Sequence, residues 1–220
     1  MKIEQPTFSI LNYTTNIDKT IEYAGRTCYN SIDKMCEGSS DEFIEKIQSF
    51  KHLSCIEHGS ITCELVTDRG VMAELTRHRV ASFSVQSTRY CNFSKTKYNK
   101  EITVIEPYFW AKDSVQYAAW YDSCCHSEDT YNYLTANGAT AQEARSVLPN
   151  SLKTIIVMTA NPREWKHVFD LRCHRDAHPQ CRQLMIPVAV EFAKRWPSLF
   201  GEYAGLTHDC SATEVTNELR

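Results

Sequence analysis

The sequence contains no apolar run approaching the ~18 residues that a membrane-spanning helix requires, and its opening, MKIEQPTFSI, has neither the basic stretch nor the apolar core that marks export. A soluble, cytoplasmic protein is the expectation. An excess of one charge is lacking too: 24 Lys+Arg stand against 27 Asp+Glu, a net charge of −3. That balance exerts no general pull on nucleic acid, so any anion site must be local. No internal repeat and no linker-like stretch divides the chain, which predicts a single domain over residues 1–220 with a flexible tail after about residue 205. Ten cysteines in a chain this long, with no secretory signal, read as reduced thiols rather than a disulfide framework.

What is present suffices for a core. With 42% hydrophobic and 11% aromatic residues, a chain of 220 is expected to bury roughly 70% of its unfolded surface. A strand is predicted over 2–12, then a helix capped by Asn16 with Ile17, Ile21, Ala24 and Cys28 inward. Ser39 and Glu42 have capping-box spacing ahead of a helix whose apolar face is Phe43, Ile44, Ile47 and Phe50. A strand over 61–66 precedes a helix carrying Val71, Met72 and Leu75, with Arg77 to Arg79 in its last turn. Further on come a strand at 102–105, a polar helix over 113–136, and a short helix bearing Arg145 behind the capping box Thr140/Glu143. A buried strand is predicted over 152–160, then a helix with Asn161 as N-cap and Pro162 at its first position. That helix places Arg163 and His167 on one face and Arg172 near its end. The last helix, 179–196, is expected to be interrupted at Pro187.

The densest chemistry lies in Arg77–Tyr90, RHRVASFSVQSTRY. Guanidinium forks match phosphate oxygens, and the hydroxyls of Ser82, Ser84, Ser87 and Thr88 add neutral donors, so a phosphorylated ligand suits this stretch. A solvated basic turn, with cations at the negative end of a helix dipole, is the plain structural reading of the same residues. In the HLSCIEHGS segment, His52, Glu57 and His58 are compatible with a metal site, an acid/base pair or ordinary loop polarity. A second candidate metal cluster is Cys173, His174, His178 and Cys181, although its spacing matches no common zinc pattern. It would make the chain a metal-stabilised binding protein without catalysis.

The Arg-His-Arg triplet, followed after seven residues by Ser87 and then Arg89, resembles the signature of the flavin-dependent thymidylate synthases. The resemblance continues through His52-x-Ser54-x-x-Glu57-His58, Glu-Ala-Arg145-x-x-Leu-Pro, Asn161-x-Arg163-x-x-x-His167 and Leu171-Arg172. It implies an α+β fold, a mixed sheet flanked by helices, and a homotetramer with shared active sites. It also implies reductive methylation of dUMP to dTMP, with methylenetetrahydrofolate as carbon donor and FAD, reduced by NADPH, as hydride source. By the same resemblance Ser54, Arg77, His78, Arg79, Asn161, Arg163 and His167 would hold FAD. Glu74, Arg77, Gln86, Ser87, Thr88, Arg89, Arg145 and Arg172 would hold dUMP. Arg172, His52 and Ser87 would carry the catalytic roles, with no metal in the site. Another pyrimidine nucleotide or one-carbon outcome on the same fold is the alternative. Position 85 departs from the family: Val85 stands where Glu or Gln is usual, with Gln86 beside it.

Overall fold

The computed structural model describes residues 1–95, 99–208 and 213–214. The chain opens on β1 (Lys2–Glu4) and β2 (Thr7–Tyr13), where one strand was expected. Pro6 separates them; it has no N–H to give to a ladder, and the chain changes sheet there. α1 (Ile17–Cys28) and α2 (Ser39–Ser49) follow, then β3 (Ile61–Asp68), α3 (Arg69–Leu75), β4 (Ala81–Val85) and β5 (Thr103–Ile105). The second half supplies α4 (Val115–Ala136), α5 (Ala141–Ala144), β6 (Lys153–Ala160), α6 (Pro162–Arg172), α7 (Pro179–Arg195), α8 (Pro197–Phe200) and β7 (Thr213–Glu214). The main sheet has the order β4-β6-β3-β2-β7, antiparallel except for the parallel β2–β7 pair, and β1 and β5 form a separate parallel pair. This is the mixed-sheet α+β class that the sequence resemblance implied.

β6 alternates half-buried and buried residues along its length, the period-two signature of a strand packed harder on one face. Over that face lie α6 and α7, whose Trp165, Phe169 and Phe192 pack with ring centroids 5.1–5.7 Å apart. A smaller core under α4 gathers Val104, Cys124, Tyr131 and Leu152. Trp120 and Tyr131 are thus packing residues of α4, while Tyr133 faces solvent.

Several local expectations are corrected. Asn16 occupies the N-cap of α1 but in the left-handed region, φ 52°, with no side-chain cap bond, and Gly25 rather than Ala24 or Cys28 completes the buried face. Gly38, not Ser39, caps α2; the Ser39 hydroxyl turns instead to Glu22 Oε1 at 2.7 Å, so that capping box does not form. Phe50 lies beyond α2 and is exposed. α7 is not interrupted at Pro187 but continues through it to Arg195, with Ile186 and Val188 buried on either side. β4 was not foreseen, and the part of the tail that falls on residues 209–212 and 215–220 lies outside the described residues.

Candidate active site

Strand register decides which segments meet. Ile61 and Ala81 both pair with Ala160, so the loop before β3, the triplet before β4 and the start of α6 are gathered at one end of the sheet. Asp68 anchors the entry to α3 by accepting the Val71 N–H at 2.7 Å. α3 then ends at Leu75, so Arg77 to Arg79 follow the helix instead of forming its last turn. Arg77 and Arg79 project into solvent and, among the described residues, their guanidinium groups have no ion pair or hydrogen bond. Asn161 does cap α6, accepting the Glu164 N–H at 2.9 Å.

His78 points the other way, into the protein, and is 4% exposed. Arg172 Nε donates to His78 Nε2 at 3.0 Å, which requires that nitrogen to be unprotonated; the proton therefore sits on Nδ1 and is donated to Glu164 Oε1 at 3.2 Å. Burial, and then the Arg172 guanidinium, lower the His78 pKa, in keeping with a neutral ring. Arg172 also donates from Nη1 to Glu74 Oε2 at 3.2 Å and from Nη2 to the Glu74 carbonyl at 2.8 Å. Asp170, a conceivable partner for a helix-end arginine, instead accepts from the Tyr203 hydroxyl at 2.7 Å. His167 stands edge-on to His78 with centroids 5.5 Å apart.

Among the described residues, His78, Glu164 and His167 are the one His/Cys/Asp/Glu group whose atoms lie close enough for a shared ion, within 4.8 Å of one another. The Arg172 bond, however, leaves the proton on the Nδ1 that faces Glu164, so the group is a hydrogen-bond network. Cys173, His174, His178 and Cys181 do not converge into such a group. Burial pushes the Cys173 thiol up to about 12 and Cys181 up as well, so neither is a nucleophile near neutral pH. None of the nine described cysteines is in a disulfide.

Beside this network, a cavity of about 510 Å³ is lined by Leu53, Ile56 and Val80, by Asn161, Arg163, Lys166 and His167, and by the carboxylates Glu57, Glu164 and Asp170. Arg163 Nη1 pairs with Glu57 Oε1 at its rim. Ser54 is exposed at the start of the short 3-10 turn 55–57. His52 lines a different cavity, between α1 and α2, where its Nδ1 is hydrogen-bonded to the Tyr29 hydroxyl at 2.8 Å.

The remaining predicted residues lie at the opposite end of β4. Val85 pairs with Ile156 and packs against the core, which accounts for an apolar residue there, and the Gln86 N–H bonds the Ile155 carbonyl at 2.9 Å. Ser87 Oγ accepts the Arg89 N–H at 3.2 Å, Thr88 is buried, and Arg89 Nη2 reaches Gln142 Oε1 at 3.5 Å on α5. Arg145 follows α5 and is exposed. With β4 rising ~3.3 Å per residue, about 13 Å of strand separate the two groups.

Sequence reasoning missed Glu164 and Arg69. Glu164 was signalled only as a lone carboxylate within the buried stripe Pro162, Trp165, Val168 and Phe169. Arg69 sits at the Arg145 end, its backbone N–H bonded to the Asn150 carbonyl at 3.0 Å. Its Nη1 is buried without a partner, and burial followed by Arg145 lowers its pKa. No pattern in the sequence marks it.

The exposed guanidinium groups of Arg77 and Arg79 thus stand near a cavity whose wall joins apolar Leu53, Ile56 and Val80 to charged groups of both signs, a site of the ligand-binding kind. The chain belongs to the flavin-dependent thymidylate synthase family, whose model, described as thymidylate synthase complementing protein, matches residues 9–198. It is 32% identical over 185 residues to the flavin-dependent thymidylate synthase of Geobacter sulfurreducens, covering 81% of this chain and 78% of that one. With the enzyme of Pyrococcus furiosus it shares 30% over 194 residues, 85% and 79% of the two chains. In fold it is similar, at TM-score 0.75 and 22% identity, to a UMP/dUMP methylase, PolB, from Streptomyces cacaoi in a crystal structure with 5-Br dUMP; 94% of this chain and 98% of that one are covered. Among the described residues no helix is long and apolar enough to cross a membrane.

Proposed function

We propose that the chain converts dUMP to dTMP, taking one carbon from methylenetetrahydrofolate and reducing equivalents from NADPH through FAD. The observation that carries this reading is the end of the sheet where Arg77, Arg79, Arg163 and His167 present cationic or cationisable groups to solvent beside a cavity whose wall carries Leu53, Ile56 and Val80 among polar and charged groups. That donor set fits the diphosphate and ring edges of FAD: forked N–H groups for phosphate, and Leu53, Ile56 and Val80 for apolar surface. Asn161 lines the cavity, and Ser54 follows the lining residue Leu53 in the chain. Reduced FAD, when bound, supplies the hydride that completes the methyl group.

The chain's own groups bind, orient and hold charge. Both ring nitrogens of His78 are engaged, so its part is to fix Arg172 and Glu164 rather than to touch the cofactor. Arg172, fixed in this way by His78 and by Glu74, keeps two N–H groups for the uracil, where its permanent charge stabilises negative charge developing on N3 and O4. Ser87, Thr88, Arg89 and Arg145, with Gln86, bind the nucleotide at the other end of β4. The orphaned Arg69 Nη1 beside Arg145 supports an anion there, since a buried guanidinium N–H without an acceptor costs free energy until one arrives. Within one chain about 13 Å of strand stand between the two ends. A homotetramer in which each site draws Arg77, Arg79 and Glu74 from one subunit and Ser87, Arg89 and Arg145 from another resolves this.

The test is direct. Purified protein should be yellow or become so with added FAD, and should form dTMP from dUMP, methylenetetrahydrofolate and NADPH, with UMP assayed alongside as the competing substrate. Arg79→Ala should weaken FAD binding by about 1.5 to 3 kcal/mol, the value of a lost charge-assisted contact. Equal FAD affinity in variant and parent removes Arg79 from the site, and turnover of UMP in preference to dUMP replaces the substrate.

A further inference from the structure

The cavity between α1 and α2, about 440 Å³, lies outside the groups described so far except for His52. Its wall combines aromatic rings, Tyr29, Phe43 and Phe50, with three cations, Arg26, Lys34 and Lys46. Two of the rings are open to solvent: Tyr29 is 57% and Phe50 60% exposed, and both lie against His52, at centroid distances of 6.3 and 6.0 Å. Exposed rings brought together around a cavity, rather than scattered singly, mark a binding surface.

The cations differ in their availability. Arg26 is committed: Nε donates to the buried Glu22 at 2.7 Å, and its guanidinium lies 4.8 Å from the centroid of the Phe43 ring. Lys34 and Lys46 are exposed and, among the described residues, neither ammonium group is in an ion pair. One carboxylate, Glu42, shares the wall. Spread lysines over aromatic surface, with the one arginine already paired, suit separated carboxylates on a flexible arm better than a compact phosphate, which a free guanidinium fork would favour. His52 begins the loop whose next residue, Leu53, lines the cavity of Arg163 and His167.

We propose that this cavity is a subsite for an aromatic polycarboxylate, the p-aminobenzoyl-glutamate arm of the folate co-substrate. The rings receive the aminobenzoyl group, and Lys34 and Lys46 receive the glutamate carboxylates. The proposal rests on the reaction proposed above, but its test is read by binding. Calorimetric titration of the FAD-supplemented protein with p-aminobenzoyl-glutamate, carrying one or three γ-linked glutamates, should show roughly fivefold or greater preference for the triglutamate, the worth of about two exposed charge pairs. The double variant Lys34→Gln/Lys46→Gln should lose that preference, and Lys34→Arg/Lys46→Arg, which keeps both charges, should retain it. Equal affinity for the two probes, or a preference that survives the Gln variant, overturns the subsite. A protein that makes no dTMP yet keeps the Lys-dependent preference sinks the reaction and leaves the subsite; one that makes dTMP without the preference sinks the subsite alone.

Discussion

Arg172 is held before any substrate arrives. It has five N–H donors, and bonds to His78 Nε2, the Glu74 carboxylate and the Glu74 carbonyl occupy three of them. Such a fork costs little to reorganise when charge develops beside it. Arg172→Ala should therefore lower kcat by about 10²-fold at saturating dUMP with FAD binding retained, and parental kcat would show that the arginine is structural. Lys in its place keeps the charge but has no Nε to hold His78, so His78 is free to change tautomer. Acid is a second probe of the same pair. His78 has a lowered pKa in the folded protein, so between its ordinary value of ~6.5 and that lower value the unfolded chain binds more protons and stability falls as pH falls. Melting temperatures at pH 7.5 and 5.5 should drop further for the parent than for His78→Gln, whose amide can accept from Arg172 and donate to Glu164 without titrating. An equal drop in both would mean that His78 is not the group responsible.

At the level of elements, two caps with a side-chain acceptor at the right spacing were readable: Asn161 and the Thr140/Glu143 box each form. Ser39 failed because Glu22, on α1, competes for its hydroxyl, a partner seventeen residues away that no local pattern displays. β4 was hidden for a related reason. Its Ser82 and Ser84 face solvent at the sheet edge, and ASFSV next to a basic triplet resembles a loop until its pairing with β6 is known. The candidate groups were legible as residue types in order, but not their division between two ends of a strand, which depends on register. The loop bearing His52 and Ser54 depends on one glycine. Gly59 has φ 131°, and a Cβ there would come within 2.6 Å of the Ile17 side chain. Gly59→Ala should cost more than about 1 kcal/mol, seen as a lower urea midpoint at unchanged slope; an unchanged midpoint would mean that the loop relaxes freely.

For the whole molecule, the separation along β4 makes a prediction that a self-contained site does not. If each site takes Arg79 from one subunit and Arg89 from another, Arg79→Ala and Arg89→Ala homo-oligomers are each impaired at every site. In oligomers reassembled from an equal mixture, about a quarter of sites would pair an intact Arg79 with an intact Arg89, by random association of subunits. Activity of the mixture should therefore rise toward about a quarter of the parental value after co-refolding, while simple mixing without subunit exchange leaves it unchanged. A site built within one chain cannot be repaired this way, because every subunit of the mixture carries one of the two lesions. Absence of rescue in oligomers shown by mass to be mixed would return Ser87, Arg89 and Arg145 to the same chain as Arg77 and Arg79. The nucleotide would then have to reach along β4, with the arginine side chains at its two ends closing the remaining gap.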